Sequence, residues 1–283
     1  MKRLASSLLC IAVLALTLAG AGPSRPAGHV VEVGFRSVAI SGKLRLAVYL
    51  PPGYDHSGLR YPVVYFLHGL PAHATAYRGI DFLRRALDQS GRGALVVAPQ
   101  GARPGDTDPE YLDWGPGRRW ETAIAQEVPA YVDAHFRTIP DRRARAIVGL
   151  SAGGYGAVLV ALHHLGRFSV VESWSGYFHP TNPQGTRALD LGSGARNARA
   201  SAHTFVTSLR RAFARRPTFF AFYVGRGDDR FRDENELLHR ELAAARVPHV
   251  FQVYPGGHQQ SVWTVHARGW LELALDRQLR AHG

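Results

Sequence analysis

Residues 149–153 read Gly-Leu-Ser-Ala-Gly, a G-x-S-x-G pattern. A serine hydroxyl is a poor nucleophile until a base takes its proton. It must also stand clear of its neighbours, on a strained turn between a strand and a helix. The local sequence supplies that setting. The apolar run Ala146-Ile147-Val148 predicts a strand before the motif, and residues 155–164 predict a helix after it. Flanking glycines let backbones approach without a Cβ clash. The first amides of the helix offer N–H groups and the positive end of its dipole to a developing oxyanion. Ser151 is therefore the candidate nucleophile. The competing reading is a glycine-rich turn with an incidental serine, and partners elsewhere in the chain decide between the two.

Those partners follow in chain order. Pro255-Gly256-Gly257-His258 comes directly after the apolar run 250–254, which predicts a strand. A histidine in such a loop can reach over the end of a sheet toward the serine and act as its base. The chain has 14 histidines. His163 and His164 lie on the helix after the serine, and His239 and His249 on another helix and a strand start, so they read as bystanders. An acid that holds the imidazole tautomer belongs between serine and histidine, after a strand. Gly225-Arg226-Gly227-Asp228-Asp229 follows the predicted strand 218–224 and meets that requirement. Asp228 is preferred, three residues beyond Gly225, with Asp229 as the fallback.

An oxyanion hole needs two N–H donors. Ala152, next to the nucleophile, is one candidate. The second is expected after the strand 63–67, where the chain reads His68-Gly69-Leu70-Pro71. Leu70 is the candidate, because Pro71 has no N–H. A plain strand-ending turn is the alternative reading of His68-Gly69. Tyr111, Trp114, Trp120, Trp174 and Tyr177 flank these loops. Of these, Trp114, Trp174 and Tyr177 are the expected substrate-binding residues, with simple core packing as the alternative. The chemistry so far calls for no cofactor and no metal ion.

These loops need elements to carry them. Residues 29–40 and 44–50 alternate in polarity and predict an antiparallel pair. The runs 63–67, 94–98, 144–150, 168–174, 218–224 and 250–254 predict further strands. Helical patterns cover 120–136, 152–165, 233–246 and 262–279. Strands alternating with helices imply a mainly parallel central sheet with helices on both faces, an α/β architecture. Continuous β-branched runs such as Val63-Val64-Tyr65-Phe66-Leu67 suit strands buried on both faces. Residues 181–200 are the least structured stretch, a loop or small lid expected to shape a site.

The chain has 283 residues, a size at which one α/β domain needs no disulfide or metal to hold its core. Residues 1–21 have the make-up of a signal peptide. Lys2 and Arg3 precede an apolar run over 4–18, and Ala19-Gly20-Ala21 follows as a cleavage sequence. That run is short for a membrane span of about 20 residues. Residues 22–28 form a Pro- and Gly-rich linker, and 29–283 the domain. Secretion, or export to the cell envelope, is expected, with no stable membrane span after cleavage. Cys10, the one cysteine, lies within the leader, so the mature chain has no thiol for catalysis, metal binding or disulfides. The net charge is +12, carried mainly by dispersed arginines. With no run of five or more basic residues, this reads as a solvated surface, and no nucleic-acid partner is expected.

Taken together, Tyr49 to Tyr54 (YLPPGY), Val64 to Gly69 (VYFLHG), Gln126-Glu127, Gly149 to Ala157 (GLSAGGYGA), Ser173 to Phe178 (SWSGYF), Asp228 with Glu234-Asn235, and Pro255 to His258 resemble the esterase D family of α/β-hydrolases. That family includes the antigen 85 mycolyltransferases, S-formylglutathione hydrolase and feruloyl esterase domains. The resemblance spans about residues 30–280. It implies an α/β-hydrolase fold and ester hydrolysis through an acyl-enzyme, on a small-molecule or polymer-linked ester. Two departures stand out. The leader and thiol-free mature chain depart from the cytosolic, cysteine-bearing S-formylglutathione branch. The Asp228-Asp229 turn departs from the glutamate acid of the antigen 85 branch. Acyl transfer to another acceptor is one alternative activity, and a non-catalytic surface binding protein on the same scaffold is another.

Overall fold

The computed structural model describes residues 27–106, 109–182, 186–280 and 282. The leader 1–21, and all of the linker except Ala27 and Gly28, lie outside the described residues. Gly28 is tied to the domain by its N–H, which donates to Asp88 at 2.8 Å.

Eight strands form one sheet: β1 (His29–Ser37), β2 (Gly42–Leu50), β3 (Val63–Leu67), β4 (Leu95–Pro99), β5 (Arg145–Leu150), β6 (Val170–Trp174), β7 (Phe219–Gly225) and β8 (Val250–Tyr254). Their spatial order is β1-β2-β4-β3-β5-β6-β7-β8. β1 pairs antiparallel with β2, and β2 with β4. All later pairs are parallel. The helices are α1 (Asp81–Ser90), α2 (Trp120–Thr122), α3 (Val128–His135), α4 (Ala152–His163), α5 (Gly194–Arg199), α6 (Val206–Arg215), α7 (Arg232–Ala244) and α8 (Gln260–Asp276).

The pleat sorts side chains into two cores. Val63, Tyr65, Leu67 and Ile147 face α3, α4, α6 and α7. Val64, Phe66, Ala146 and Val148 face α1 and α8. Successive strand residues point to opposite faces. A strand covered on both sides must therefore be apolar throughout, and all five residues of β3 are buried. Between them lies the feature that creates a site. The chain leaves β3 toward β4 on one side and leaves β5 toward β6 on the other. Loops after these adjacent strands diverge at their carboxyl ends, and a crevice opens there.

The structure differs from the sequence expectations at three places. Helices α1 and α6 were not expected. Their apolar stripes, Phe82, Leu83, Ala86 and Leu87 in α1 and Val206, Leu209 and Phe213 in α6, recur at helical spacing against a charged opposite face, a signal the sequence carries. The helix expected over 120–136 is interrupted by a π turn at Ala123–Glu127. Pro129 lies two residues beyond it. A proline inside a helix removes one backbone bond and crowds the carbonyl four residues earlier, and a widened turn relieves that crowding. Glu127, at the end of this turn, accepts hydrogen bonds from Ser37 Oγ and from the N–H groups of Val38 and Ala39, so it pins the β1–β2 turn. Finally, the loop expected over 181–200 contains the short helix α5.

Candidate active site

Ser151 sits between β5 and α4 with φ 54° and ψ −124°, on the positive-φ side that non-glycine residues rarely adopt. Such backbone costs about 1–3 kcal/mol and persists only where packing dictates it. The flanking glycines show how close that packing is. A Cβ on Gly149 would lie 2.0 Å from the Gly153 carbonyl oxygen, and one on Gly153 would lie 2.0 Å from that of Leu67. Helix α4 is buried from Ala152 to Leu162, which fixes the direction in which the elbow points.

Nε2 of His258 lies 2.9 Å from Ser151 Oγ, and Nδ1 lies 2.7 Å from Oδ2 of Asp228. The carboxylate can only accept, so Nδ1 carries the proton and the lone pair of Nε2 faces the serine hydroxyl. Asp228 is fully buried, whereas Asp229 is exposed. Asp228 is set in its turn by donating its N–H to Gly225 O and accepting from Arg232 N–H. The imidazole is held edge-on by two rings, Phe231 at 5.2 Å and Trp263 at 4.9 Å.

The turn after β3 is braced from behind. His68 is buried, and burial depresses its pKa to about 4, so it is neutral at pH 7. The Gly101 N–H donates to its Nε2 at 3.1 Å, which assigns the proton to Nδ1. Nδ1 donates to Gly69 O at 3.0 Å, and Tyr111 Oη donates to His68 O at 2.8 Å. A trans peptide points its N–H opposite its C=O. Holding the Gly69 carbonyl therefore aims the Leu70 N–H away from His68. A Cβ on Gly69 would come within 3.1 Å of Ser151 Cβ, so this turn lies against Ser151. Ala152, at the start of α4, has one of the amides a helix leaves without an internal acceptor.

A cavity of about 410 Å³ opens at Ser151 and His258. Leu70, Pro71, Tyr177, Phe231 and Trp263 supply apolar walls, and Thr181, Arg230, Gln259 and Gln260 supply polar ones. A larger groove of about 820 Å³ runs along α6, lined by Thr207, Ser208 and several arginines. It holds no nucleophile–base pair, so the chemistry selects the smaller cavity.

Of the three expected substrate-binding residues, only Tyr177 lines this cavity, with its hydroxyl donating to Glu110. Trp174 is fully buried under the sheet against Phe66 and Trp270, and its indole N–H donates to Glu172. As the last residue of β6 it points to the α8 face. Trp114 is 36% exposed and lines a separate hollow beside Leu112 and His163. Trp120 is core. The sequence reading passed over Phe231 and Trp263. The available signal was proximity: Phe231 lies three residues beyond Asp228, and Trp263 five beyond His258.

Residues 37–267 match the family described as "Putative esterase". An esterase of Mycobacterium tuberculosis (strain ATCC 25618 / H37Rv) is 31% identical over 251 residues, covering 79% of this chain and 54% of that protein. The chain thus spans about half the length of that relative. S-formylglutathione hydrolase of Rattus norvegicus is 25% identical over 243 residues, covering 78% of this chain and 83% of that enzyme. Among solved structures, a Staphylococcus aureus fluorophosphonate-binding serine hydrolase superposes with TM-score 0.75 at 20% identity, covering 88% of this chain and 99% of the other. The eight-stranded sheet with helices on both faces is the α/β-hydrolase fold, and the chain belongs to the esterase family built on it.

Proposed function

We propose that this chain is an exported carboxylic ester hydrolase in which Ser151, His258 and Asp228 act as one catalytic unit. The observation that carries the reading is His258 bridging the hydroxyl and the buried carboxylate, at 2.9 and 2.7 Å. As Ser151 Oγ attacks an ester carbonyl, its proton passes to Nε2, and Asp228 stabilises the resulting imidazolium. The oxyanion forms between the amides of Leu70 and Ala152, a contribution of about 3 kcal/mol per donor. The imidazolium then protonates the departing alkoxide and leaves an acyl-enzyme. Water, deprotonated by the same nitrogen, attacks the acyl carbonyl and frees the acid and Ser151.

The cavity supports a small-molecule or polymer-linked ester, with Tyr177, Phe231 and Trp263 offering an apolar surface for one end. The export reading rests on residues 1–21. No helix among the described residues is long and apolar enough to cross a membrane. The test is labelling by a fluorophosphonate together with hydrolysis of a panel of aryl esters, wild type against Ser151→Ala. Wild-type labelling and turnover that both vanish in the variant support the proposal. Turnover that survives in Ser151→Ala sinks it.

A further inference from the structure

Two histidines and a glutamate from three separate segments meet outside the Ser151 cavity. His179 lies in the loop after β6, His203 in the 3₁₀ turn Ala202–Phe205, and Glu234 in the first turn of α7. Oε1 of Glu234 is 2.5 Å from Nδ1 of His179 and 3.5 Å from Nε2 of His203. One ligand-capable atom of each residue lies within 4.8 Å of the other two.

His203 is held between two carboxylates, one at each ring nitrogen. Its Nδ1 is 2.5 Å from Oε2 of Glu241, so its N–H is directed at that carboxylate. Nε2 then faces a carboxylate oxygen at 3.5 Å, an arrangement that calls for positive charge between them, supplied by a second ring proton or by a bound cation. The Phe178 N–H donates to the same Glu234 oxygen at 2.8 Å and fixes the carboxylate. Metal-bound histidines almost always direct their second N–H to a carboxylate, carbonyl or water, which orients the ring.

We propose that His179, His203 and Glu234 bind a divalent transition-metal ion of the Zn²⁺ type, with Glu241 orienting His203. Two imidazoles and one carboxylate suit such an ion, whereas Ca²⁺ and Mg²⁺ prefer oxygen ligands throughout. Tetrahedral Zn²⁺ holds its ligand atoms about 3.3 Å apart. The His203–Glu234 separation already fits that value. The His179–Glu234 pair must open by about 0.8 Å to reach it, a shift open to His179, whose side chain is 36% exposed. The fourth position is left to water.

The ion's role is to join segments, and it takes no part in the ester chemistry. Tyr177, two residues before His179, and Phe231, three before Glu234, form facing cavity walls with ring centroids 4.9 Å apart. The ion ties together the chain segments that carry those walls.

The experiment uses the purified protein, stripped with EDTA and titrated with ZnCl₂ by calorimetry and thermal melting. One equivalent should bind, and Tm should rise by about 5 °C at a hundredfold excess over Kd. His179→Ala and His203→Ala should each weaken binding at least tenfold, and Glu241→Gln by about 10–100-fold. His258→Ala, His239→Ala and His163→Ala should retain one equivalent, because His258, the His239–His249 pair and the His163–His164–Glu121 cluster are competing histidine sites. Circular dichroism checks folding, and the more exposed His179→Ala carries the test if His203→Ala does not fold. Absence of saturable binding means the cluster holds protons alone and overturns the proposal. So does Zn²⁺ binding that survives His179→Ala but is lost in His258→Ala, His239→Ala or His163→Ala.

Discussion

Nδ1 of His258 and Oδ2 of Asp228 are 2.7 Å apart, and Asp228 is fully buried while its neighbour Asp229 faces solvent. Asp228→Asn keeps the shape of the side chain but presents an amide, which can reverse the imidazole tautomer. kcat on an aryl ester should fall by about 10⁴. Asp229→Asn should leave kcat within about twofold, since an exposed side chain without a role changes little. Steady-state kinetics of the two variants decide, and a reversed order would move the acid to Asp229.

In the proposed mechanism Ser151 and His258 act on the same proton, so their losses should not add. Ser151→Ala and His258→Ala should each remove most activity, and the double variant should be little worse than either. A residual rate from the oxyanion hole and substrate binding should remain. Values of kcat/KM for both singles and the double provide the check. Strictly additive losses would show that the two side chains work independently.

Tyr177 and Trp174, two of the three aromatics expected at the pocket, should behave differently. Tyr177 lines the cavity, so Tyr177→Ala should shift the kcat/KM ratio between aromatic and acetyl esters by about tenfold. Trp174 packs under the sheet, so Trp174→Ala should lower stability by about 3–5 kcal/mol and leave that ratio unchanged. Urea unfolding and an ester panel separate the two outcomes.

Glu172 is fully buried, and burial raises its pKa to about 8 despite hydrogen bonds from Trp174 and Tyr223 that oppose the shift. The folded chain therefore keeps its proton at a pH where the unfolded chain has lost it. The associated stability is complete below about pH 4.5 and declines as pH rises toward 8, by up to about 1.4 kcal/mol per unit. Glu172→Gln cannot ionise and should flatten this slope. Urea midpoints for wild type and variant at pH 5, 6.5 and 8 test it, and parallel slopes would refute it.

If residues 1–21 are a leader, exported protein should begin at Gly22. N-terminal sequencing of secreted material is the measurement, and an intact Met1 would favour an uncleaved anchor.

The sequence by itself determined whatever depends on neighbours along the chain. The elbow at Ser151 is a strand, a turn and a helix within a few residues, so its glycines and apolar flanks made it legible. The loops of Leu70, Asp228 and His258 were legible in the same way, because each directly follows an apolar run that forms a strand. Choices between faces and between distant segments were left to tertiary structure. Asp228 and Asp229 share one turn, and only burial against the His258 loop separates them. Trp174 and Tyr177 are three residues apart, but the pleat turns one into the core while the loop brings the other to the cavity. His179, His203 and Glu234 have no shared spacing to read. They meet because the loop after β6, the turn before α6 and the start of α7 pack at one place, and folding alone creates that proximity.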